Sequence, residues 1–184
     1  MNNTANIPPG WSYNPAAWSQ RLPIIALAVA GFVMAAYLAL YQYRVVPKVW
    51  EPFFHEGSET ILNSDLSRLL PVSDAALGAF AYLLDAITGI IGSQKRWQTM
   101  PWLVIAFAIL VGPLGAVSIA LVIAQPLLFD AWCTLCLATA VISVLMIGPA
   151  MDEALATLQY LKRIHTHSAA QFWPVFWGLK TTLE

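Results

Sequence analysis

Charge is what this chain lacks most. Only 10% of its 184 residues are Asp, Glu, Lys or Arg, against roughly 25% in an ordinary soluble domain. With 59% of residues hydrophobic, a disordered chain is excluded, and the bilayer becomes the natural solvent. Nine Lys and Arg against ten Asp and Glu leave a formal charge of −1, so there is no basic footprint for nucleic acid. Two cysteines make neither a disulfide-stapled scaffold nor a four-thiolate zinc site. The three histidines, His55, His165 and His167, fall in loops and tail, and no metal site is predicted. Alternating apolar and polar residues are also missing, which argues against a membrane β-barrel. The first 20 residues hold no Lys or Arg, unlike the charged start of a secretory leader.

Where the charges are absent, the spans can be placed. Residues 22–43, 97–129 and 131–151 carry no charge at all, and each run is long enough for a helix of about 20 apolar residues. A fourth run, from about 72 to 92, is apolar except for Asp74 and Asp85. The predicted fold is all-α and integral to the membrane, a four-helix bundle with spans at about 22–43, 72–92, 101–125 and 131–149. Residues 1–21 read as an N-terminal interfacial segment, 22–150 as the membrane domain and 151–184 as an amphipathic helix with an aromatic tail. Asn14-Pro15 reads as an N-cap with proline at the first helical position. The long first connection, about 44–71, contains Ser58 to Leu62 followed by Leu66, Leu69 and Leu70, the pattern of a short amphipathic half-helix. The third connection reads as Pro126 to Asp130. Pro113, within Gly112-Pro113-Leu114-Gly115, frees a carbonyl and predicts a mid-span kink.

Gly148-Pro149 reads as a helix break, with Asp152-Glu153 opening a new helix that ends on Lys162-Arg163. Beyond it, Phe172-Trp173 and Phe176-Trp177 repeat at a spacing of four. They read as an interfacial anchor or as a docking surface for another membrane subunit. Arg21, Lys95, Arg96, Lys162, Arg163 and Lys180 fall at one side, and Arg44, Lys48 and Arg68 at the other. The positive-inside rule then puts both termini in the cytoplasm and the long loop outside.

Both cysteines lie in one motif, Trp132-Cys133-Thr134-Leu135-Cys136, at the predicted outer start of the last span. Asp130 reads as the N-cap, with Cys133 at the third helical position. There the free N–H groups lower a thiol's pKa and make it a nucleophile. Two cysteines three apart on one turn close readily on each other, and the outer side is where disulfides persist. The competing reading is that both are small buried apolar residues. Asp74 and Asp85 are eleven apart and return nearly to one helical face, shared with Gly78, Tyr82 and Gly89. An acid inside a span is a functional candidate. Asp85 reads either as a proton-carrying acid or as structural glue bonded to Ser118 or Ser143.

These pieces together resemble the vitamin K epoxide reductase family of membrane thiol oxidoreductases. The resemblance covers about residues 22–150 and is carried by Ser58 to Ser64, by Leu77-Gly78-Ala79-Phe80-Ala81-Tyr82 and by Trp132 to Leu137. It implies a four-helix bundle around a quinone, ubiquinone or menaquinone, capped by the outer loop. It also implies that Cys133 exchanges disulfides with an incoming thiol and that Cys136 faces the quinone. Asp74, Gly78, Tyr82 and Ala140 are the implied quinone-binding positions. The implied partner is a thioredoxin-fold or other thiol protein on the outer face of a bacterial inner membrane. Two departures stand out. The family's loop cysteine pair is missing, with Ser58 at the second position, and Ala140 stands where relatives can carry tyrosine. Two functions follow. One is a quinone-dependent thiol–disulfide oxidoreductase. The other is a non-catalytic quinone- or lipid-binding subunit of a larger membrane complex, docked through its tail. A transporter is disfavoured because no inverted repeat is present.

Overall fold

The computed structural model describes residues 6–64, 67 and 72–179. Apolar runs without interruption become four long helices: α1 (Trp18–Gln42), α3 (Asp74–Ile90), α5 (Pro101–Phe129) and α6 (Thr134–His167). Short helices join them: α2 (Gly57–Leu62) in the first connection, α4 (Arg96–Thr99) before α5, and α7 (Phe172–Phe176) at the end. α1 packs against α3 and α6, and α5 against α6 and α3. The bundle centre holds Ile24, Ala28, Ala35, Tyr82, Phe107, Val111, Met146 and Ala150. Outward-facing residues such as Val33, Ile109, Val141 and Leu145 are apolar and exposed, a face suited to lipid rather than water. α1, α5 and α6 are each long and apolar enough to cross a membrane. α3 has 17 residues, roughly 26 Å at 1.5 Å per residue.

Several local expectations are corrected. α1 begins at Trp18, four residues beyond the expected cap, because Asn14 closes a turn instead: its Oδ1 accepts from Ala16 N at 3.0 Å. Pro126 does not end α5, which runs on to Phe129. Gly148-Pro149 does not end α6 either. The 34-residue helix continues through Pro149 and is roughly 51 Å long, well beyond a 30 Å hydrocarbon core. A proline removes one ladder bond, and the buried Met146, Ala150 and Ala154 on either side hold the helix together. Asp152 and Glu153 therefore lie within a helix rather than at its start.

The N-terminal segment is fastened to this extended helix. Trp11 Nε1 donates to Gln159 at 3.0 Å, Tyr13 hydroxyl to Asp152 at 2.5 Å, and Asn14 Nδ2 to the Gln94 carbonyl at 3.0 Å. The carboxylate beside it raises the Tyr13 phenol above its usual pKa, chiefly through that hydrogen bond. The tail also folds back: Val175 is buried with Leu161 and Ile164, and the Phe172 and Phe176 rings stack at 6.2 Å. Trp173 and Trp177 remain exposed. Within the expected half-helix, α2 covers Gly57–Leu62, while Leu66, Leu69 and Leu70 lie outside the described residues, as do Arg68 and Lys180.

Candidate active site at the start of the last long helix

α5 ends at Asp130, which adopts left-handed φ and ψ of 46° and 36° and turns the chain back. Asp130 thus terminates α5, correcting its expected role as N-cap of the next helix. Cys133 takes the N-cap place: its sulfur accepts from Cys136 N at 3.1 Å, and α6 starts at Thr134. A sulfur here receives an N–H that would otherwise be orphaned. Cys133 and Cys136 are disulfide-bonded, with Cα atoms 5.2 Å apart. Cys133 is 0% exposed, and its N–H donates to the buried Gln125 Oε1 at 3.1 Å. Cys136 is half-buried and packs with Ala75 and Tyr41 around Leu38 and Leu62.

The first connection covers this pair. Gly57 lies so close to the Trp132 carbonyl that a Cβ there would come within 2.1 Å of the oxygen, so only glycine fits. Phe54 and Trp132 rings lie 6.3 Å apart. Between them, Glu51 accepts from Thr134 N at 3.0 Å, and it also accepts from the hydroxyls of Thr134 and Ser58. Weaker bonds come from Phe53 N and Phe54 N at 3.4 Å. Burial alone would push the Glu51 carboxyl up; the bonds from Ser58, Thr134 and Phe53 outweigh it, and the pKa lies below the ordinary glutamate value. Sequence reasoning gave Glu51 no role. Its one legible signal is its position seven residues before Ser58, where the family's second loop cysteine would stand.

Asp74 opens α3, where Ser73 accepts from Ala76 N as the cap. Its Oδ1 accepts from Gln42 Nε2 at 2.7 Å, Ser67 Oγ at 2.8 Å and Ala75 N at 2.8 Å. Gly78 lies beside α1, where an added Cβ would be in ordinary contact with Ala35 Cβ at 4.0 Å. Tyr82 is buried, and its hydroxyl donates to the Thr139 carbonyl at 2.7 Å and lies 2.5 Å from Ser143 Oγ. α1 makes room for that ring at Gly31, where a Cβ would sit 2.6 Å from Tyr82 Cε1. Ala140 is buried on α6, one turn below Cys136. A ladder of bonds therefore runs inward from the disulfide: Thr139 Oγ1 donates to the Cys136 carbonyl at 2.9 Å, and Ser118 Oγ to Ser143 Oγ at 3.2 Å. Asp74 with Gln42 and Ser67 makes a polar cluster at the start of α3, with Gly78 one turn further along, and this donor-and-acceptor set has the chemistry that would hold the oxygen of a flat quinone ring.

Of the two readings of Asp85, the structural one placed it against Ser118 or Ser143, and it bonds neither. It is 0% exposed, and among the described residues neither carboxyl oxygen has a hydrogen-bond partner. The serine hydroxyls are taken by Tyr82 and by each other. At the opposite end of α3, residues that sequence reasoning read as flanking charges are buried. Arg96 and Glu153 pair at 2.5 Å through both nitrogens and both oxygens. Arg21 donates to the carbonyls of Gly89, Ile91 and Gly92, and Arg96 to those of Thr88, Gly89 and Ile91. Among the described residues, no group of three metal-ligating side chains comes together.

The Vitamin K epoxide reductase family matches residues 22–150, which take in most of α1, all of α3 and α5, and α6 up to Ala150. No match was found among curated proteins, and none among solved structures.

Proposed function

Because the chain belongs to the vitamin K epoxide reductase family, we propose that it is a quinone-dependent thiol–disulfide oxidoreductase of a bacterial inner membrane. The single observation that carries this reading is the Cys133–Cys136 disulfide at the start of α6, with Cys133 fully buried under the loop and Cys136 half-buried against the same apolar cluster. The family's general character, a multi-pass membrane thiol oxidoreductase, supports it.

A thiolate of a thioredoxin-fold partner attacks Cys133, the S–S bond breaks, and Cys136 leaves as a thiolate. A second partner thiol displaces Cys133, so the partner leaves oxidised and the Cys133–Cys136 pair holds two electrons as a dithiol. A quinone, ubiquinone or menaquinone, would supply the two-electron acceptor when bound. Asp74, with its Gln42 and Ser67 neighbours, would hold its polar end, and Gly78, Tyr82 and Ala140 would line its site. Asp85, with no hydrogen-bond partner inside the bundle, is the acid available to hold a proton at depth. The six-to-three distribution of Lys and Arg supports termini in the cytoplasm and the disulfide outside, and α3 then makes the fourth crossing. Contacts with membrane lipid complete the partners, and no nucleic acid is involved.

The burial of Cys133 and the absence of loop cysteines favour a second reading, a non-catalytic subunit of a larger membrane complex. The redox state of Cys133–Cys136 in isolated membranes separates the two. With a thiol donor present, quinone depletion should leave the pair reduced. A pair that stays oxidised regardless of quinone supply overturns the enzymatic reading.

A further inference from the structure

The outer loop brings a lone carboxylate to the helix end that carries the disulfide. Thr134 is the first residue of α6 and the direct neighbour of Cys133. Its N–H and hydroxyl both point at Glu51. Helix N-termini stabilise anions through just such N–H groups. That stabilisation is what would otherwise lower the pKa of a cysteine thiol at this place. In this protein the helix start serves both groups: Cys136 N donates to the Cys133 sulfur, while Thr134 N donates to the Glu51 carboxylate and brings that charge beside it. No Lys or Arg forms an ion pair with Glu51 among the described residues.

We propose that Glu51 is a positioning residue that sets the redox poise of the Cys133–Cys136 pair, its charge on the Thr134 N–H opposing a thiolate at Cys133. This rests on the thiol–disulfide reading above. The consequence has a definite sign. A like charge disfavours the charged form of its neighbour, so ionised Glu51 keeps the reduced Cys133 protonated. A destabilised thiolate makes the reduced pair less favourable and the disulfide a weaker oxidant. Neutralising Glu51 should therefore lower the Cys133 thiol pKa and make the pair more oxidising. The depressed Glu51 pKa means that the charge is in place at neutral pH. Other titratable groups face the same space: Lys48, His55 and Glu56 line the roughly 620 Å³ cavity beside Glu51. Glu59 accepts from Val49 N at 3.4 Å, and Asp130 flanks Trp132 on the far side. All five are unchanged in the variants below, so their contribution cancels in the comparison.

The test uses the full chain in detergent, reduced, with thiolate absorbance followed against pH; this needs no reagent access to a buried sulfur. Equilibration with glutathione buffers gives the potential. Glu51→Gln keeps an acceptor for the Thr134 N–H but loses the charge. It should raise the thiolate fraction at Cys133 roughly tenfold and shift the thiol–disulfide equilibrium up to tenfold toward the reduced pair, about 30 mV for a two-electron couple. Glu51→Ala, which loses the loop bonds as well, should shift both at least as far. Thr134→Ala removes one loop bond and leaves the charge, and should stay within about twofold of the wild type. Unchanged pKa and potential in both Glu51 variants would overturn the proposal. So would a Thr134→Ala shift as large as theirs, because loop closure rather than charge would then set the poise. A wild-type pair that does not respond to quinone would defeat the oxidoreductase reading while leaving this comparison intact.

Discussion

The two ends of the bundle are tied by opposite means. At one end, Arg21 and Arg96 converge on the last carbonyls of α3, and Glu153 neutralises Arg96 through two bonds. Cations on a helix C-terminus match the dipole, and a buried pair with its donors satisfied is costly to separate. At the other end, the loop is held over the disulfide by the bonds to Glu51, by bonds of Tyr37 and Gln42 with its backbone, and by Val49 and Leu62 packing with Leu38, Cys133 and Leu135. Nothing there is charge-paired among the described residues, and Glu51 remains near solvent. The difference teaches where movement is permitted. The inner end fixes α1, α3, α4 and α6 to one another. The disulfide end covers Cys133 completely, but opening it would separate no ion pair, as the proposed exchange with a partner thiol requires.

The largest expected effect is at the disulfide itself. Replacing either cysteine by alanine should abolish quinone-dependent dithiol oxidation. Cys136→Ala should trap a mixed disulfide with a partner thiol through Cys133, and Cys133→Ala should trap none, as non-reducing gels would reveal. If neither variant traps anything under oxidising conditions, the outer loop does not open to proteins, and the contrast between the ends collapses. At the inner end, Arg96→Ala strands a buried Glu153. It should cost about 3–5 kcal/mol, measured as a lower melting temperature in detergent, with the disulfide still formed. A melting temperature equal to wild type would mean that the inner end is no stronger than the outer.

Asp74→Ala, which loses the group proposed to bind the polar end of the ring, should slow reoxidation of the cysteine pair by about tenfold, the low end of a lost hydrogen bond to a charged group, without unfolding the bundle; stopped-flow mixing with quinone is the measurement. Asp85 carries the opposite expectation for stability. With no partner to lose, Asp85→Leu should raise stability by about 1–3 kcal/mol, the cost of a buried unsatisfied group. If turnover falls as stability rises, the acid is kept for proton handling. The smallest effect is the acid limit of the loop latch. Because folding holds Glu51 below its unfolded pKa, its contribution is fully present above the ordinary glutamate value of 4.5. It is lost as pH falls through the lower folded value. The protection factor of the Thr134 amide, its exchange rate relative to the intrinsic base-catalysed rate at the same pH, should hold steady from neutral pH down to the ordinary glutamate range and fall below it. A protection factor that falls instead on passing from pH 5 to pH 8 would reverse the sign.

The long helices were legible because their cause is local. Charge-free runs such as 22–43 have no alternative to a helix in lipid, where every backbone group must be paired internally. The Cys-x-x-Cys motif was legible for the same reason, since three residues on one turn need no distant contact. Errors arose where a local signal was outvoted by packing. Pro149 reads as a stop, yet Ala150 and Met146 are fully buried and carry α6 through it. Asp130 reads as a cap, yet its left-handed backbone closes α5 and leaves the cap of α6 to a sulfur. Which polar groups meet across the bundle was decided only by tertiary structure. Glu51 and Thr134 are 83 residues apart, and Arg96 and Glu153 are 57 apart. Asp85 shows the same division: its place inside a helix follows from spacing alone, but its lack of any partner depends on Tyr82 reaching Ser143 first. The sequence by itself determined the solvent, the helices and the reactive pair, because hydrophobicity and helical period act over neighbouring residues. The tertiary structure decided which end is locked and which can open, because burial and charge pairing depend on residues that only the folded bundle brings together.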